Sequence, residues 1–234
     1  MAPGREMPGV QPVIVVTGGT TEYRQIVDAQ ARKCAQFGYK HLIFDLGGLG
    51  IGEPYEVERE DLEPTVNGDS LPPATFKAHL VQRGLGVAKP NESVCWLDAD
   101  CIPLRGFEPS GSWDAAVTLR PAPEIGLSNN PALDYLNSGV VWFRDNCKGR
   151  SLCVTWGILS GQMGTDQGAL NQMAGSALDK AGWLRYLGKT IPQNCGGNVL
   201  ILDCAEWNNW SPPFTGARIA HFKRGLRGQA VNYL

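Results

Sequence analysis

No run of this sequence approaches the roughly 20 apolar residues that a membrane-spanning helix needs, and residues 1–10, MAPGREMPGV, contain no apolar stretch of the kind a secretory leader carries. A soluble, cytoplasmic protein is expected, with residues 1–11 as a flexible lead-in. An excess of charge is missing too. The net charge is −2 and no Lys/Arg run occurs, which argues against nucleic acid or an anionic membrane surface as partner. Seven cysteines are present, an odd number without a C-x-x-C pair, so neither a disulfide framework nor a zinc site is read. Cys95 and Cys204 fall in apolar runs, where a thiol packs as a small hydrophobe, and the cysteines are read as reduced core residues. There is no G-x-G-x-x-G and no Tyr-x-x-x-Lys, which removes the ordinary dinucleotide fold and the short-chain dehydrogenases. Histidine is scarce, at three residues, so each has to be weighed individually.

What is present reads as one α/β domain over 12–234, without repeats or an internal linker. Val13-Ile-Val-Val16 is a short β-branched run of the kind found in buried parallel strands. Helical spacing of Ile26, Val27, Ala31, Cys34 and Ala35 follows, and Gly38 is a stop. His41–Asp45 then reads as a second strand, which completes a βαβ unit. Residues 46–72 and 120–134 read as loops, the second lying over a site. A helix is expected over 73–84, with Phe76, Leu80 and Val81 inward. Further strands are expected at Val94–Leu97, Ala115–Leu119, Ser138–Phe143, Val199–Leu202 and Arg218–Phe222, and helices at Leu152–Leu159 and from Thr165. The predicted sheet is mixed and mostly parallel.

The strongest chemical signal is Leu97-Asp98-Ala99-Asp100 at the end of an apolar run. On a strand, residues i and i+2 share a face, so the two carboxylates would sit side by side. Like charges that close repel, and a hard divalent cation, Mg²⁺ or Mn²⁺, is the usual remedy. Acids that merely cap a turn are the ordinary alternative. Thr17-Gly18-Gly19 after the first strand stands where doubly wound folds bind nucleotides, and a plain glycine turn is its alternative. Asn137-Ser138-Gly139 offers groups suited to sugar hydroxyls, and a turn is its ordinary alternative. Asp166-Gln167 opens a helix, where Asp is commonplace and Gln is not explained by capping. His221 precedes Lys223, Gly225 and Arg227; an imidazole can complete an Asp/Asp metal site, and cations among glycines suit a diphosphate. His41 and His79 lack such company and read as structural. Lys77 is either a solvated charge or a side chain reaching the same cleft. Trp142, Trp156, Trp183 and Trp207 read as mostly core, and Trp207-Asn-Asn-Trp210 as a segment able to stack a sugar ring.

In order, these pieces together with Asn171 and Ile191-Pro-Gln-Asn194 resemble the family-8 type of GT-A glycosyltransferases, the group of glycogenin and the lipopolysaccharide galactosyl- and glucosyltransferases. The likeness covers about residues 12–230. It implies a GT-A fold and a uridine-diphosphate sugar donor. It implies Mn²⁺ (or Mg²⁺) on Asp98, Asp100 and His221, and donor contacts from Thr17, Gly18, Tyr23, Lys77, Ala99, Asn137, Ser138, Lys223, Gly225 and Arg227. Asp166 and Gln167 would stand beside the reacting anomeric carbon. The tail departs from the family's H-x-x-G-x-x-K-P-W: Gly225 comes one position late, Arg227 stands where Lys is expected, and Pro-Trp is missing. The implied activity is metal-dependent, retaining transfer of a hexose to a hydroxyl of a glycan, lipid-linked or protein acceptor. The rivals are a sugar-phosphate nucleotidyltransferase and an inactive homologue that binds a nucleotide sugar or glycan.

Overall fold

The computed structural model describes residues 13–52, 55–59, 65–66, 69–70, 75–120, 135–174, 183–194 and 196–233. The predicted lead-in 1–11, most of the predicted loop 120–134 and Cys195 lie outside the described residues.

The first half of the chain runs β1 (Val13–Gly19), α1 (Arg24–Gln36), β2 (Lys40–Asp45), β3 (Glu56–Arg59), a small hairpin of β4 (Thr65–Val66) and β5 (Asp69–Ser70), α2 (Phe76–Val87), β6 (Ser93–Leu97) and β7 (Cys101–Pro103). It continues with β8 (Ala115–Leu119), β9 (Leu136–Arg144), α3 (Cys147–Met163), α4 (Asp166–Ala174), β10 (Thr190–Pro192), β11 (Asn198–Asp203), α5 (Cys204–Trp207) and β12 (Ile219–His221). Eight strands form one sheet in the order β10-β11-β8-β9-β6-β1-β2-β3. Only β9 and β10 run against the others, so the sheet is mixed and mostly parallel.

The continuous apolar runs are explained by burial on both faces of the sheet. Ile14, Val16, Val94, Trp96, Val141 and Phe143 face a core closed by Leu80 and Val81 of α2, Trp156 of α3 and Leu170 of α4. Their neighbours Val13, Val15, Cys95, Leu97, Val140 and Trp142 face a second core with Phe107 and Trp207. Trp142, Trp156 and Trp207 are buried as expected, and Trp207 meets Trp142 edge-on at 5.5 Å. The side chain of Trp183 lies outside the described residues. Of the cysteines described, Cys147 is exposed at the start of α3, against the expectation of buried thiols.

Three expectations need correction. The segment 46–72 contains the edge strand β3, paired with β2. Its sequence Glu-Val-Glu-Arg hides it, because charged residues are common on edge strands and leave one apolar residue to signal it, Val57, which packs inward. Asp98 and Asp100 are not on a strand: β6 ends at Leu97, and Cys101 N donates to the Asp98 carbonyl at 2.9 Å across a turn before β7 begins. Asn137-Ser138-Gly139 lies within β9, where the register against β8 jumps. Val117 pairs with Val141 but Thr118 pairs with Asn137, so residues 138–140 bulge away from β8. Bulges of this kind often re-aim side chains beside functional sites. Among the described residues no helix is long and apolar enough to cross a membrane.

Candidate active site

The bulge of β9, the turn after β6, the starts of α2 and α4 and the segment after β12 surround a cavity of about 750 Å³. Gly18, Tyr23, Lys77, Asp98, Ala99, Asp100, Asn137, Ser138, Gln167, His221, Lys223 and Arg227 all line it, which brings together twelve of the residues singled out by the sequence. Asp166 stands just behind, joined to this group through Lys77.

Lys77 is the pivot of one side. Its Nζ lies 2.8 Å from Asp98 Oδ1 and 2.7 Å from Asp166 Oδ2, and also donates to Ser138 Oγ at 3.3 Å. Burial pulls its pKa down, but the two carboxylates, Asp98 first, outweigh that and hold the ammonium above its ordinary range. The charge is therefore committed to Asp98 and Asp166, and the solvated-charge alternative is ruled out. Trp96 adds an indole N–H to Asp98 Oδ1 at 2.8 Å. Asp166 is the first residue of α4, and its Oδ1 accepts from Gln167 N at 2.9 Å. Asn171, one turn on, accepts from Tyr135 N and Leu136 N at 3.0 and 2.9 Å, which docks α4 onto the start of β9.

The other side centres on His221. β12 pairs with β7 and sets His221 opposite Cys101, so the imidazole reaches back over the acid turn. Its Nε2 is 2.9 Å from Asp100 Oδ1 and 4.0 Å from Asp98 Oδ2. Arg227 Nε donates to Asp100 Oδ2 at 3.2 Å, and its guanidinium lies 4.7 Å from the Tyr23 ring centre. Burial alone would raise the Asp100 pKa; the hydrogen bond and charge of His221, helped by Arg227, bring it below the ordinary carboxylate value. Lys223 sits 3.8 Å over the Trp210 ring, and Trp210 meets His221 edge-on at 6.2 Å. The expected sugar-stacking segment 207–210 is thus corrected: Trp207 is in the core, and Trp210 carries Lys223 and braces the imidazole. Gly225 lies in the 3₁₀ segment Arg224–Tyr233.

Two oxygen donors and an imidazole nitrogen converging on one cavity form a donor set suited to a hard divalent cation. Cys101 Sγ also falls within reach of Asp100 and His221. Burial holds that thiol protonated, and it donates to the Gly139 carbonyl at 3.8 Å, which leaves Asp100 and His221 of that group, with Asp98 Oδ2 4.0 Å from the imidazole, as the candidate donors.

Thr17 is the expectation that fails. It is fully buried and turns away from the cavity. Its hydroxyl donates to Gln30 Oε1 at 2.6 Å, and Gln30 Nε2 in turn donates to the carbonyls of Cys101 at 2.8 Å and Asp98 at 3.2 Å. Thr17 therefore supports the acid turn from beneath. Gly18 and Gly19 are also strand residues rather than a loop, paired with Phe44 and Asp45. A Cβ on Gly18 would lie 2.8 Å from Leu46 Cδ1 and 3.0 Å from Leu80 Cδ1, so packing favours glycine there.

His41 closes the same buried chain, with Nε2 3.2 Å from Thr17 Oγ1 and Nδ1 unpartnered among the described residues. Burial lowers its pKa from 6.5 to about 3. A proton then binds the unfolded chain before the folded one. The contribution of His41 to stability is full above the unfolded value and is lost as pH falls from there toward the folded value. Between about pH 7 and pH 5 the wild type should lose about 2 kcal/mol through this residue. Urea unfolding at both pH values, compared with His41→Gln, reads it; an equal pH slope in the two proteins would refute it.

No protein-family sequence model matches the chain, and no curated protein sequence matches it. Solved structures do. A glycosyltransferase involved in the glycosylation of the major capsid of PBCV-1 is similar over 95% of this chain and 98% of its own, with 13% identity and a TM-score of 0.58. The galactosyltransferase LgtC, solved with donor and acceptor sugar analogues, is similar over 94% of each chain, with 12% identity and a TM-score of 0.53. An active-site variant of LgtC matches over the same shares at 12% identity, with a TM-score of 0.50. Likeness over nearly the whole of both partners gives this chain the GT-A glycosyltransferase fold.

Proposed function

We propose that the protein transfers a hexose from a uridine-diphosphate sugar to an acceptor hydroxyl, with retention of anomeric configuration and with Mn²⁺ or Mg²⁺ bound by Asp98, Asp100 and His221. The observation that carries this reading is the convergence of those three side chains on a cavity with cations on one rim, Lys223 and Arg227, and the Lys77–Asp166–Gln167 group on the other. The fold supports it, since LgtC was solved with donor and acceptor sugar analogues in complex.

When bound, the cation would neutralise the diphosphate and act as a Lewis acid on it. Arg227 and Lys223 would add fixed positive charge at the leaving group. Lys77 pairs with Asp98 and Asp166, and Asp166 would steady positive charge developing at the anomeric carbon while Gln167 orients the sugar. The anomeric carbon–phosphate oxygen bond breaks, the bond to the acceptor oxygen forms on the same face, and the acceptor proton passes to the departing phosphate oxygen.

A thermal-shift screen of nucleotide sugars, each with and without Mn²⁺, tests the donor and the metal together. A shift confined to uridine-diphosphate sugars plus Mn²⁺, with slow donor hydrolysis, is expected. Pyrophosphate release from a nucleoside triphosphate would favour a nucleotidyltransferase instead, and binding without hydrolysis an inactive homologue.

Gly139→Ala probes the same site at one atom. The new Cβ would fall 2.7 Å from His221 Cε1 and 2.9 Å from Asn137 Oδ1. The imidazole is buried and held at both nitrogens, so it cannot yield without tilting. Mn²⁺ affinity should drop about tenfold, the low end of what loss of ligand orientation brings, while the fold is retained. Unchanged affinity would remove His221 from the ligand set.

A further inference from the structure

We infer that Asn208 is a positioning residue for His221: a chain of hydrogen bonds rooted in the Gly139 backbone N–H runs through Asn137 and Asn208, keeps a proton on imidazole Nδ1, and so leaves Nε2 as the nitrogen presented to the acid turn. The inference rests on the reading of His221 as a cation ligand for its purpose, though not for its geometry.

The direction of each bond follows from the one before. The Gly139 N–H can only donate, so the Asn137 atom it meets at 2.7 Å is the carbonyl oxygen Oδ1. The Asn208 amide reaches that same oxygen at 2.7 Å, so it must present its NH₂ there. That Nδ2 also donates to Thr118 Oγ1 at 3.1 Å, and the Thr118 hydroxyl proton is directed to the backbone carbonyl of Asn137 at 3.5 Å. The reversed amide would set two acceptor oxygens face to face. Asn208 Oδ1 is therefore the atom 2.8 Å from His221 Nδ1, and an amide oxygen only accepts. Nδ1 therefore always keeps a proton, and Nε2, turned toward Asp100 and Asp98, is the nitrogen that either donates to Asp100 or is bared for a cation.

Thr118 and Asn208 are 0% exposed, His221 2% and Asn137 3%, so water does not compete for these bonds. The backbone fixes the span as well: His221 N donates to the Asn209 carbonyl at 2.7 Å, and Asn209 N to the Ile219 carbonyl at 3.0 Å, which binds the segment carrying Asn208 against β12. A ligating histidine whose other N–H is held by an acceptor is oriented and made more basic by it.

The first test is nitrogen-15 NMR of the imidazoles in the wild-type protein, with Mg²⁺ and without metal. A protonated His221 Nδ1 in both is expected; a bare Nδ1 with the proton on Nε2 overturns the relay. The second is Mn²⁺ binding, with Mn²⁺ alone, followed by electron paramagnetic resonance. Asn208→Leu should weaken it about 10- to 100-fold. Asn208→Asp, which keeps an acceptor for Nδ1 and loses the donations to Asn137 and Thr118, should retain it near the wild-type level although it also lowers the melting temperature. Equal weakening in the two variants reduces Asn208 to a packing residue. Should Asn208→Leu fail to fold, the NMR result in the wild type and in Asn208→Asp still decides. Absence of Mn²⁺ binding to a wild type with protonated Nδ1 sinks the cation reading and leaves the relay intact.

Discussion

Asp100→Asn should reduce Mn²⁺-dependent turnover of a uridine-diphosphate sugar by about 10²- to 10³-fold, the usual loss when one preorganised electrostatic group is removed from a reacting centre. The amide keeps the shape of the side chain and can still accept from Arg227, so the fold should survive. What disappears is the negative charge 2.9 Å from His221 Nε2. His221 and Arg227 together hold the Asp100 carboxyl below its ordinary pKa, so the wild-type group is an anion throughout the neutral range. Donor hydrolysis measured against Mn²⁺ concentration separates two effects: a higher metal requirement points to lost ligation, and a lower ceiling to lost charge balance. Turnover within a factor of about three of the wild type, with unchanged metal dependence, would remove Asp100 from the proposed chemistry.

Gly149→Ala should cost the fold about 3 kcal/mol, which for a chain of this size lowers the melting temperature by roughly 6–12 °C. Gly149 lies in the first turn of α3, where its N–H caps onto Asn146 Oδ1 at 2.8 Å. A Cβ there would run into the carbonyl oxygen of Arg144 and lie 2.8 Å from that of Asp114. Both are backbone atoms and cannot rotate aside. They belong to a junction in which Asp114 accepts from Asn146 Nδ2 at 3.0 Å and from Asn198 N at 2.8 Å, tying β8, α3 and β11 together. Calorimetry reads the loss; a melting temperature within about 2 °C of the wild type would refute it.

How much of this was legible beforehand depended on whether the signal was local. Val13–Val16 and Val94–Leu97 are buried on both faces, so they are apolar without interruption and stand out. β7 and β10 have three residues each, too few to show a period, and β3 is disguised by its edge charges. The acid pair was visible as a pattern, but the reason for its convergence was misread. Asp98 and Asp100 meet at one imidazole because a turn folds them there, not because a strand alternates. Thr17 looked like a ligand contact from its place after an apolar run; its burial depends on Gln30, which comes from α1. Asn208 carried no signal, since its partners come from β8, β9 and β12 and meet only in the folded chain.

The three residues by which β9 departs from β8 separate two kinds of inheritance in this fold. Leu136 and Asn137 on one side of the bulge, and Val141 to Phe143 on the other, hold their places through the ladder to β8. Ser138, inside the bulge, faces the cavity and owes that ladder nothing. A change at 138 can alter what the cavity accepts without first being negotiated through the core, whereas a change at 141 or 143 must be. The lining of the cavity can therefore be retuned at this looped-out position while the apolar layers on the two faces of the sheet stay as they are.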